Sequence, residues 1–209
     1  DLVEHIPSVR RNILAIPVPL MSAEEIGELV TNGERTSGIT ITPAARDHIV
    51  AISAGSPYIA SLLCHHAALD AIDSQRLDVL PSDVASALEQ ALNELGTRIS
   101  KNTMGQVHRL VNESGTDLLS LIASASLAGG GEFDADMLDA KAGTATKAAR
   151  CKRIVGELAA QQILLSERDD GFGKKYAFIE DAVPTYLWFL AAQQSFREDD
   201  SAPQRVRAR

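Results

Sequence analysis

Apolar and polar positions recur along the chain in two rhythms, and the change between them suggests two units. From Ser22 the run "SAEEIGELV" places Ile26, Leu29 and Val30 on one helical face. Ser22 with Glu25 three residues on is the pairing of a capping box, which starts that helix. "TPAARDHIVAISAG" predicts a second helix, with Thr42 as cap, Pro43 in the first turn and Gly55 at the end. A third opens at once from Ser56 and Pro57, with Ile59, Leu62, Leu63, Ala67 and Ala71 as its apolar stripe. A fourth runs from Ser82 through Val84, Leu88, Ala91, Leu92 and Leu95. Upstream, "NILAIPVPL" (12–20) is apolar, β-branched and broken by two prolines, which reads as a strand ending at Pro17 or Pro19. "TNGERTSG" and "DSQRLDVLPSD" read as connections.

"GTRISKNTMGQ" (96–106) has little apolar content and is the expected boundary, unless the fourth helix continues through it. Beyond it the pattern is helix from Thr116, Gly-rich break at "GGGE", short helix capped by Asp134, then the longer helix "TATKAARCKRIVGELAAQQ". "ILLSER" and "KKYAFIE" flank a Gly-containing turn, which predicts a β-hairpin. Pro184 opens a last helix, in which Leu187, Phe189 and Leu190 are expected to form a buried seam. Helix, short helix, longer helix and hairpin is the order of a winged helix-turn-helix. The expected fold is mainly α. A small helical bundle over residues 1–100 is followed by a winged helix-turn-helix with a β-hairpin wing over 101–196. The remaining 197–209 is polar and reads as a disordered tail.

Composition narrows this picture. The 209 residues allow one or two domains, 45% of them are apolar and only 4% aromatic, which suits packed helices more than a β-sandwich. No apolar run reaches the roughly 18 residues of a membrane span, and no signal peptide is evident, so a cytoplasmic protein is expected. Cys64 and Cys151 fall in helical patterns and read as reduced core cysteines. The net charge of −8 is uneven, with −7 in residues 1–100 and −1 in 101–209, so the first half is a poor nucleic-acid binder.

Residues 5–95 resemble the end of an AAA+ ATPase module. The resemblance lies in "HIPSVRRNILAIPVPLMSAEEIGELV", in "ITITPAARDHIVAISAGSPYIASLLCHHAALDAI" and in "LDVLPSDVASAL". It is similar to the lid of the initiator, secretion and transposition branches, and a winged domain after the lid is similar to the origin-recognition branch. The resemblance implies a lid that couples nucleotide state to a winged-helix domain contacting DNA or a partner protein. It implies a missing AAA+ core that binds ATP and Mg²⁺, and an oligomeric bacterial-type ATPase as the parent protein. In the family a Gly-x-Pro-Arg turn sets its Arg on the nucleotide's terminal phosphate. The matching turn here is Gly55, Pro57 and Tyr58, and a phenol cannot supply that charge. Arg10 and Arg11 stand where the family can supply an arginine finger to a neighbouring subunit.

No Gly-x-x-x-x-Gly-Lys-[Ser/Thr] occurs, so this chain alone is expected not to hydrolyse ATP, and no catalytic residue is assigned. The chain begins without Met and is expected to be part of a larger protein. His65 and His66 point about 100° apart on a helix and do not suggest a metal site. One is expected in solvent and the other at the core. Lys147, Arg150 and Arg153, with Lys174 and Lys175 in the wing, are the DNA-contact candidates, because the third helix of a winged fold enters the major groove. Asp134, Asp136, Asp139, Glu167, Asp169 and Asp170 lie among them, which leaves protein docking open. Two other readings remain. One is a winged-helix transcription regulator with an N-terminal dimerisation or sensing bundle. The other is the autoinhibitory module of a signalling ATPase.

Overall fold

A computed structural model describes residues 19–167 and 174–201. The strand expected over 12–20 lies almost wholly outside them, as do Arg10, Arg11, the tip of the hairpin and residues 202–209. The fold is mainly helical. The first helices are α1 (Ala23–Ser37), α2 (Pro43–Ser53), α3 (Pro57–Asp73) and α4 (Pro81–Arg98). The capping box forms as the sequence predicts: Ser22 Oγ accepts from Glu25 N at 3.2 Å, and Ser22 N donates to Glu25 Oε2 at 2.7 Å. Ile26, Val30, Ile59, Leu63, Ala67 and Ala71 are buried along the predicted stripes, while Leu29 and Leu62 are half-buried.

Two short strands escaped the sequence pattern. β1 (Thr40–Ile41) and β2 (Asp78–Val79) pair in parallel inside the two stretches read as connections. They are too short for a period-2 signal, and a parallel pair needs partners distant in sequence. The pairing also corrects the role of Thr42. Its hydroxyl makes no cap bond to α2 and instead donates to the Val79 carbonyl at 2.8 Å, because the ladder brings that carbonyl within reach.

In the stretch 96–106, expected to be a boundary unless the fourth helix continues through it, α4 stops at Arg98. Ile99 is extended, and Ser100 caps a new helix, α5 (Lys101–Ser114), which buries Thr103, Val107 and Leu110. The cap is completed from far along the chain. Glu180 accepts from Ser100 N at 2.7 Å, Ser100 Oγ at 2.8 Å and Thr103 Oγ1 at 2.5 Å.

Helices α6 (Thr116–Ala128), α7 (Ala135–Ala142) and α8 (Ala145–Ala160) follow, then strands β4 (Leu164–Glu167) and β5 (Lys175–Phe178). A third strand, β3 (Glu132–Phe133), lies between α6 and α7, so the sheet order is β3-β5-β4, antiparallel throughout. This is the winged helix-turn-helix that the sequence order predicts. Ala148, Cys151, Val155 and Leu158 of α8 are buried. The last helix, α9 (Ala182–Ser201), packs on both α6 and α4. Leu187 and Phe189 are buried and Leu190 half-buried. α9 runs past Arg197, into the segment expected as a tail, because extending a formed helix gains a bond for each residue fixed. Buried side chains from both halves join in one contiguous core.

Candidate functional site

Two places carry the residues singled out by sequence. The first is the turn between α2 and α3. Ala54 and Gly55 both take positive φ, at 48° and 83°. Gly55 has a second reason to be glycine: a Cβ there would lie 2.5 Å from the Met21 carbonyl oxygen. Met21 N donates to the Gly55 carbonyl at 2.9 Å, so the segment entering α1 lies against this turn. Ser56 then caps α3 through Ile59 N at 3.4 Å, and Pro57 takes the first helical position. Tyr58 follows at the helix start with 59% of its surface exposed. The matching position of the resemblance thus projects outward at a helix N-terminus, carrying a phenol.

Asp83, in the stretch "VLPSDVASAL", holds the other end of this unit and was not singled out by the sequence. It is buried and accepts twice from Arg76, at 2.7 and 3.0 Å, and from Leu80 N at 2.7 Å. Burial works against its charge, but the guanidinium and the amide outweigh it and hold the carboxyl below its ordinary range. The sequence signal was the acid at the third position of a helix opened by proline.

His65 is exposed and His66 buried, as expected. His66 Nε2 lies 3.3 Å from Glu94 Oε1, yet the approach is too poorly aligned for a hydrogen bond. Both cysteines are free. Burial, with help from Glu34, pushes the Cys64 thiol up to about 11, which makes it a poor nucleophile near neutrality. No described helix is long and apolar enough to cross a membrane.

The second place is the outer face of α8 and the wing. Lys147, Arg150 and Arg153 are all exposed. They differ in company. Arg153 lies 3.7 Å from Glu157, and Lys175 reaches Glu132 at 3.5 Å. Lys174 sits 5.3 Å from the centre of the Tyr176 ring. Lys152 pairs with Asp139 at 2.8 Å. Lys147 and Arg150 enter no ion pair among the described residues. Of the acids around this face, Asp134 is spent on capping α7 through Met137 N at 2.9 Å. Asp169 and Asp170 lie outside the described residues. The basic set therefore divides into Lys152, Arg153 and Lys175 beside carboxylates, Lys174 over the Tyr176 ring, and a Lys147–Arg150 pair on the first two turns of α8 with no ion pair among the described residues.

No family model matches the chain, and no curated protein does. Among solved structures, it is similar to the ORC2 protein of Aeropyrum pernix in its ADPNP–ADP complexes, at 16% identity and a TM-score of 0.36. The match covers 93% of this chain and 52% of that one, so the chain spans about half the length of that structure.

Proposed function

We propose that this chain is the lid and winged-helix region of a cytoplasmic AAA+ ATPase. In this reading residues 1–100 form the lid and 101–196 the winged unit, which contacts DNA through the start of α8. The observation that carries the DNA contact is the exposed Lys147 and Arg150, without acidic partners among the described residues, on the helix that a winged fold presents to the major groove. The lid assignment is supported by the Gly55 turn, where a backbone contact excludes any larger residue and Tyr58 starts the next helix in the open. ATP and Mg²⁺ would be held by a core domain that this chain lacks. With Tyr58 at the sensing position, the lid would respond to nucleotide through packing against that core, not through a guanidinium on phosphate.

Binding of the chain to a duplex across a salt series tests the reading. Lys147→Ala with Arg150→Ala is expected to weaken binding at low salt and to lower the slope of log K against log salt by about 2, because each of the two cations would neutralise one phosphate. Absence of binding at about 20 mM salt, or an unchanged slope in the double variant, would assign this face to a protein partner instead.

A further inference from the structure

We propose that the cavity between α2, α6 and α9 is a binding site for a small aromatic ammonium compound. The cavity encloses about 370 Å³, the size of a small-molecule site, and lies where the first helices meet the winged unit. Three rings wall it. Trp188 of α9 is half-buried, and its N–H donates to the Ile52 carbonyl at 2.7 Å, which fixes the indole. Phe196, about two turns further along α9, and His48 of α2 have ring centres 4.4 Å apart. Between the rings the lining includes Ala51 and Ala192, whose short side chains leave the space open.

The polar groups at the cavity identify the charge of its ligand. Asp117, in the first turn of α6, is the single carboxylate among the described lining residues, and no Lys or Arg is among them. The Asp117 carboxylate enters no ion pair among the described residues. The donors that an anion would need are largely committed. The Trp188 N–H is used by Ile52, Ser120 Oγ donates to the Asp117 carbonyl at 2.8 Å, and Ser195 Oγ donates to the Ala191 carbonyl at 3.2 Å. Of the described lining side chains, the His48 ring alone keeps a donor to offer. A carboxylate attracts a cation by charge, and aromatic faces attract it by their quadrupole. Both select the same sign, while the apolar body of the ligand covers the rings. The site depends neither on the ATPase reading nor on the DNA reading.

The probe is benzyltrimethylammonium, whose charge is the same at every pH, compared with phenylacetate as an anion of similar apolar body. Calorimetric titration of the whole chain is expected to show one benzyltrimethylammonium per chain with a Kd of about 1 mM or tighter. Phenylacetate is expected to bind at least about tenfold more weakly. Trp188 is the single tryptophan, so its emission is expected to follow the same saturation curve. Asp117→Asn keeps the shape and removes the charge, and is expected to bring the two probes within about threefold of each other. Ala51→Leu provides an independent variant on another helix. Ala51 is exposed, so a leucine enters the cavity without displacing packed neighbours, and it is expected to weaken benzyltrimethylammonium binding about tenfold or more. No saturation by about 10 mM, equal or tighter binding of phenylacetate, or a preference and affinity that survive either substitution would overturn the proposal.

Discussion

Gly55 illustrates how a single residue can be required for two reasons at once. Its φ of 83° favours glycine, and the Met21 carbonyl occupies the space a side chain would need. Gly55→Ala is expected to cost about 2 kcal/mol, combining backbone strain with displacement of the Met21 segment. Denaturant unfolding measures this, and a cost below about 0.5 kcal/mol would mean that the turn relaxes freely. Tyr58, three residues on, is set by the same turn but buries little, so its identity is free of packing demands. That contrast is why the turn was legible as a motif in the sequence while the purpose of its phenol was not. Lys147 and Arg150 were likewise legible as cations. Which cations were already neutralised depended on Glu132, Asp139 and Glu157 being in reach.

Among the elements, α5 owes its start to a residue about 80 positions later. Glu180 caps it with three accepted hydrogen bonds, and the bond from Thr103 above all, then the one from the Ser100 amide, holds the carboxyl below its ordinary range. A depressed carboxylate binds fewer protons folded than unfolded, so its stabilisation is present at neutral pH and is lost as pH falls through the ordinary range near about 4.3 toward the lower folded value. Glu180→Gln is therefore expected to be less stable than the parent at pH 7, with the gap narrowing below about pH 5. Thermal unfolding of both proteins across that range checks it, and a gap independent of pH would remove Glu180 as the titrating cap. The same element was not legible as a helix in the sequence. Its cap partner is distant, and its buried Val107 and Leu110 are too few for a clear stripe.

At the scale of the molecule, α9 joins the two halves. It packs on α4 and α6, and Trp188 Nε1 donates to the Ile52 carbonyl at 2.7 Å, close to the C-terminal end of α2. His48 of α2 also lies against Phe196, with ring centres 4.4 Å apart. These contacts tie α2 to α9. Trp188 is the single tryptophan, so its fluorescence reports this seam, while far-UV circular dichroism reports all the helices. The two denaturation curves are expected to coincide, as for one cooperative unit. A fluorescence transition that precedes the helical one would show that the seam opens while both halves stay folded.

The sequence by itself determined most of the helices, the hairpin, the caps at Ser22 and Asp134 and the buried face of α8. These follow from periodicity and hydrogen bonds that span only a few residues, and both are written in consecutive positions. Tertiary structure decided the parallel β1–β2 ladder, the remote cap from Glu180, the seam at Trp188 and the cavity beside it. Each depends on groups that are far apart along the chain and meet only after folding, so no local pattern of side chains could encode the contact.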